Sequence, residues 1–224
     1  MTTTQARADR PQTIEEEIAN ALSHGVGFLL AAASLPVLVA MAERQHGSTM
    51  HVVAVSVFSI TMMLLYLASA AYHAAPEGDF KAFLNRLDHA AIFLFIAGSY
   101  TPFALGVLDG RWGWMLFGGI WAMSAAGVAV KLLDRLKHPL WSTALYVALG
   151  WFALVAAMPT LRTMSTDGIL WLLAGGVAYT AGAIVFLFDS RARFLHFVWH
   201  LFVLGGTACH FWAALWYVLP SQAA

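Results

Sequence analysis

Nine histidines occur in this chain, and two of them, His196 and His200 in the segment HFVWH, stand four residues apart. On a helix that spacing puts both imidazoles on one face, with Cβ atoms roughly 6 Å apart. The same His-x-x-x-His geometry lets helical metalloproteases hold one zinc ion. A third imidazole, His73, closes the segment SAAYH one turn after Ser69, and an acid, Asp88, lies in LDHAAIF. Three protein ligands with an exchangeable water form the pattern of a catalytic zinc site, whereas structural sites are usually closed by four. Asp88 would orient or deprotonate that water, whose pKa zinc lowers to about 7. Ser69 would hydrogen-bond the water or a substrate oxygen. A plainer reading stands beside this one, because interfacial histidines often only bond backbone carbonyls or lipid headgroups. What decides between them is whether these segments meet.

The elements that carry them read as membrane spans. Of the 224 residues, 60% are hydrophobic and 11% charged, with a mean hydropathy of +0.71. A soluble domain averages about 45–50% apolar and roughly 25% charged residues. Lipid is therefore the expected solvent. A helical span needs about 20 mainly apolar residues. Seven such runs are found, at Asn20–Ala42, Val52–Ala75, Leu84–Leu108, Gly113–Leu133, Leu140–Met158, Ile169–Phe188 and Leu195–Leu219. The connectors between them, such as PEGDFKAF and DSRARF, are too short to hold a soluble domain. The expected architecture is all-α, a single seven-helix membrane domain over residues 20–219 preceded by a segment 1–19. In that segment Thr13 and Glu16 fit a capping box for a short interfacial helix running into the first span. Glu15, Glu16 and Glu17 are expected to be solvated at the membrane surface. No removable signal peptide is expected, since Met1–Asn20 lacks a basic region followed by an apolar run.

Lysine and arginine placement sets orientation. Nine of the twelve basic residues fall on the side of the N-terminal tail, in that tail (Arg7, Arg10) and in the second, fourth and sixth connectors. Only Arg44, Arg111 and Arg162 fall on the other. The N-terminus is expected in the cytoplasm and the C-terminus outside, in a multi-pass protein of the plasma (inner) membrane. This topology, counted from basic residues alone, brings Ser69, His73, Asp88, His196 and His200 to one membrane level. An ionisable residue inside a bundle is a functional hypothesis by default. The zero net charge argues neither for nor against a nucleic-acid partner, and no basic tract suggests one, so none is expected.

Other polar positions carry less. His210 lies about 15 Å beyond His200 along the helix and cannot share a metal with His196; it would line a polar cavity, shuttle protons or make an interhelical bond. Cys209, the single cysteine, faces away from His196 and forms no disulfide. His24, in NALSHGVG, is read as structural polarity, though close enough to pack near the site. His46, His51 and His138 belong to connectors. Gly118, Gly119, Gly175, Gly176, Gly182, Gly205 and Gly206 read as helix-packing positions. Pro102 is expected to kink the third span, with Ser99 or Thr101 compensating for the lost hydrogen bond.

Four motifs in order, EEIANALSHGVG, SAAYH, LDHAAIFLFIAGSYTP and HFVWHLFVLGGTACHF, make the chain resemble the hemolysin III family of the progestin and adipoQ receptor superfamily over nearly its whole length. The resemblance implies zinc held by His73, His196 and His200, with Asp88 and Ser69 near the water. It also implies kinship with membrane ceramidases, which use a similar intramembrane zinc to cleave lipid amides. The short N-terminal segment departs from a hormone-receptor role. The leading expectation is a zinc-dependent hydrolase of a lipid amide or ester, with membrane lipid as solvent and substrate. The alternative is a non-enzymatic pore, transporter or regulator of membrane energetics with structural zinc, haemolytic or cytolytic when overexpressed.

Overall fold

The protein was analysed as a computed structural model, which describes residues 10–44, 48–108 and 110–218. Arg7, His46 and Leu219 lie outside the described residues. Eight α-helices follow one another: α1 (Ile14–Arg44), α2 (Thr49–Ala74), α3 (Asp79–Gly106), α4 (Gly110–Leu132), α5 (Pro139–Gly150), α6 (Ala157–Thr163), α7 (Thr166–Phe186) and α8 (Leu195–Tyr217). A 3-10 turn, Trp151–Ala156, extends α5, and a second, Asp189–Arg191, precedes α8. Seven of these segments are long and apolar enough to cross a membrane: α1 to α4, α5 with its 3-10 extension, α7 and α8. The fold is all-α, a seven-helix membrane bundle, and no strand occurs among the described residues.

Exposure is inverted relative to a soluble protein. Leu22, Leu29, Leu30, Leu64, Leu67 and Trp216 are exposed, while Asn20, Ser59, Ser69 and His200 are buried. Lipid cannot hydrogen-bond, so polar side chains turn inward and apolar ones face out. Sequence neighbours pack most closely, α1 on α2, α2 on α3, α3 on α4 and α7 on α8, and α1 meets α8 to close the bundle. Close approach is set by small residues. At Gly98 of α3 an added Cβ would overlap the side chain of Thr61 on α2. Gly118 and Gly205, by contrast, face open space, so the packing expectation fails for those two.

The first turn of α1 corrects the expectation of three solvated acids. The capping box forms, with Thr13 N donating to Glu16 Oε2 at 2.9 Å and Glu16 N donating to Thr13 Oγ1 at 3.4 Å. The helix then continues unbroken into the membrane. Glu15 is exposed, but Glu16 is 2% exposed and accepts two bonds from Arg10, at 2.8 and 2.6 Å. Those bonds push the Arg10 pKa above its ordinary value. Glu16 also accepts the backbone N–H of Phe194 at 2.7 Å. Phe194 has φ 62°, a left-handed conformation that a bulky side chain rarely adopts. The buried carboxylate holds that turn, and the turn sets where α8 begins.

Helix α3 continues through Pro102. Ser99 Oγ bonds the carbonyl of Ile96 at 2.8 Å and Thr101 Oγ1 that of Ala97 at 2.9 Å. Neither bond reaches Gly98, whose carbonyl loses the Pro102 donor. A separate break in regularity falls in α5, which gives way to a 3-10 turn after Gly150. There the Tyr100 hydroxyl donates toward the carbonyls of Leu149 and Gly150, at 2.9 and 2.6 Å, and accepts Ala153 N at 2.8 Å. One side chain thus satisfies the backbone groups freed where α-helix becomes 3-10 helix. Removing the hydroxyl in Tyr100→Phe should cost about 1–3 kcal/mol, because buried backbone groups lose their partner. Thermal unfolding in detergent checks this, and an unchanged midpoint would contradict it.

Candidate metal centre

The site is built at one end of the bundle, where the starts of α1, α3 and α8 meet the end of α2. His73, His196 and His200 each offer a ring nitrogen, and these atoms lie within 4.8 Å of one another. The ring centroids are 5.0 Å apart for His73 and His196, 5.1 Å for His73 and His200, and 4.8 Å for His196 and His200. His73 and His200 are 3% and 1% exposed, and His196 is half-buried.

The hydrogen bonds decide which nitrogen of each ring is bare. His73 Nδ1 lies 2.6 Å from Glu17 Oε2. His196 Nδ1 lies 2.8 Å from Asp189 Oδ2. An ionised carboxylate only accepts, so both Nδ1 atoms carry the proton. His200 Nδ1 lies 2.9 Å from Ser23 Oγ. The single hydroxyl proton of Ser23 goes to the carbonyl of Asn20 at 2.8 Å, so Ser23 accepts and His200 Nδ1 donates. All three rings therefore present a bare Nε2. His73 Nε2 is buried with no hydrogen-bond partner. Glu17 is held in turn by Lys81 Nζ at 2.7 Å, and Lys81 is itself buried.

Ser69 and Asp88 line the same cavity as His196 and His200. Asp88 is not part of the three-histidine cluster. Ser69 is 1% exposed, and its Oγ lies 2.7 Å from His24 Nδ1. The His24 ring stacks on that of His200, with centroids 3.5 Å apart and planes at 7°. His24 is thus part of the site's wall, a role its sequence position left open. His51 and His138 serve locally: His51 Nδ1 accepts the N–H of Ser48 at 3.2 Å, and His138 Nδ1 that of Leu140 at 3.3 Å. The cavity has a volume of about 680 Å³ and leads away between apolar side chains that include Ile92, Phe95, Ile96, Phe103 and Val203.

Sequence reasoning set aside or passed over the residues that orient the histidines: Glu17, Ser23, His24 and Asp189. One signal for two of them, Ser23 and His24, was present. Glu16, Asn20, Ser23, His24 and Gly27 are all buried, and they recur at helical spacing along a segment otherwise facing lipid. A polar stripe on such a helix must face the bundle interior. No comparable pattern marks Asp189, which lies in a 3-10 turn.

Comparison with known proteins agrees with this architecture. Residues 12–211 match the family described as Haemolysin-III related. The chain is 41% identical to Hemolysin-3 of Bacillus cereus, over 94% of this chain and 95% of that one. It is 38% identical to a Hemolysin-3 homolog of Bacillus subtilis, over 92% and 95% of the two chains. A more distant relative, the Monocyte to macrophage differentiation factor of Homo sapiens, is 27% identical over 93% of this chain and 87% of that one. With seven membrane-crossing helices and a family match over most of its length, the chain belongs to the haemolysin III family of multi-pass membrane proteins, within the progestin and adipoQ receptor superfamily.

Proposed function

We propose that this protein is a zinc-dependent membrane hydrolase of a lipid amide or ester, with the ion held by His73, His196 and His200. The observation that carries this reading is the shared tautomer: three Nδ1 atoms engaged by Glu17, Asp189 and Ser23, and three bare Nε2 atoms. The donor set fits a zinc ion. Neutral imidazoles are common zinc ligands, and a partner on the far nitrogen fixes the ring and raises its basicity. An unpartnered buried polar atom such as His73 Nε2 costs stability unless something occupies it.

When bound, zinc supplies a Lewis acid that polarises a carbonyl oxygen and makes water a stronger acid. The chain's own groups do the rest. Asp88 takes the proton of the attacking water as general base. Ser69 holds the substrate oxygen or the water. The apolar cavity receives the acyl chain, and its volume of about 680 Å³ falls within the usual range of about 300–1,000 Å³ for small-molecule sites. On the basic-residue count, the reacting end faces the cytoplasmic leaflet.

One feature favours a second reading, a pore, transporter or regulator of membrane energetics in which zinc is structural. The cavity lining on α3 runs from Asn85 to Phe103, about 27 Å of helix, close to the hydrocarbon thickness of about 30 Å. Liposome flux that persists in His196→Ala would favour this alternative.

Purified protein should contain roughly one equivalent of zinc, and the His73→Ala/His200→Ala variant should contain none. Unchanged metal content in that variant would refute the site. Asp189→Asn should weaken zinc affinity by about 10–100-fold, because His196 loses its charged partner; metal competition measures it. In lipid, a panel of sphingolipids and phospholipids should show zinc-dependent turnover that falls by about 10²–10⁴-fold in Asp88→Ala. Turnover unaffected by that change, or by zinc removal, would overturn the hydrolase reading.

A further inference from the structure

Deeper along α8 the cavity carries a second group of polar side chains, which the metal centre does not use. His210 and Tyr179 both line it, with ring centroids 5.3 Å apart. Reciprocal notches seat them. A Cβ at Gly175 of α7 would overlap the His210 ring, and a Cβ at Gly206 of α8 would overlap the Tyr179 ring. Each helix thus gives up a side chain so that the other can project a polar ring between them.

Counting protons gives this pair a defined chemistry. His210 Nδ1 lies 2.9 Å from the carbonyl of Gly206, which only accepts, so Nδ1 carries the proton and Nε2 is bare. Thr207 Oγ1 donates its one proton to the carbonyl of Val203 at 2.8 Å. It accepts from Tyr66 at 2.9 Å, so the Tyr179 hydroxyl, at 3.0 Å, must also donate to it. The Tyr179 oxygen is left with lone pairs only. Both rings therefore present acceptors to the cavity and no donor. A carboxylate or phosphate finds nothing to bond here, whereas a hydroxyl finds an acceptor on either ring. The surrounding wall is apolar, with Phe103, Leu172 and Val203 among its side chains.

We propose that His210 and Tyr179 form an acceptor-only station for a hydroxyl carried partway along a lipid chain, about 15 Å from the histidine end where that lipid's polar group lies. The proposal rests on the reading that the cavity takes a lipid, and it narrows the ligand class to chains with a mid-chain hydroxyl.

Ricinoleate and oleate differ by one such hydroxyl and serve as probes, their affinities measured by displacement of a fluorescent fatty acid from purified protein. Wild type should bind ricinoleate about fivefold more tightly, the effect of one neutral hydrogen bond. His210→Phe fills the same notch without an acceptor and should bind the two acids equally, with zinc content unchanged. Tyr179→Phe should reduce the preference and leave oleate affinity alone. Equal binding of the two acids by wild type, or a preference that survives in His210→Phe, overturns the station while leaving the lipid cavity intact. Failure of both acids to bind overturns the lipid-cavity reading and the station together.

Discussion

The hydrogen bond that each site histidine makes through Nδ1 is the constraint around which the bundle is arranged. An imidazole has two nitrogens, and only a fixed partner on one determines what the other can do. Glu17 supplies that partner to His73, Asp189 to His196 and Ser23 to His200. These partners come from α1 and from the turn before α8. The first and last crossing helices therefore have to meet, and the contact between α1 and α8 is where the site is made. In a lipid-solvated bundle this is a demanding arrangement, since every buried polar group needs a protein partner rather than water. The chain meets the demand with a graded network: Lys81 on Glu17, Glu17 on His73, Arg10 on Glu16, and Glu16 on the turn that starts α8.

The same logic links the three-histidine cluster to the cavity. A set of ring nitrogens stands at one end and a long apolar wall lies beyond them. Deeper in the membrane, His210 and Tyr179 repeat the device in weaker form, again with an acceptor of a backbone carbonyl or a threonine fixing where the protons lie.

Much of this was legible in the sequence, for a physical reason. Spans announce themselves because lipid demands about 20 apolar residues, and all seven were found within about three residues of their observed limits, apart from the earlier starts of α1 at Ile14 and α3 at Asp79. His73, His196 and His200 could be brought together because the i, i+4 spacing and the alternation of span direction are both local rules. The partners could not be read the same way. Glu17 reaching His73 depends on how α1 and α2 dock, and the break after Gly150 depends on a hydroxyl from α3. Glu16 read as surface acid because its sequence neighbours are acids, yet only the docked Phe194 turn makes a buried position for it.

That turn has a bearing on biogenesis. Glu16 is near the start of the chain and Phe194 close to its end, so the bond between them cannot form until the last helix has been delivered to the membrane. A nascent chain halted before α8 would leave Glu16 without the Phe194 N–H and His73 without the imidazoles of His196 and His200 beside it. An acceptor left unmet in lipid is costly, so α8 completes a polar network that the first turn of α1 begins.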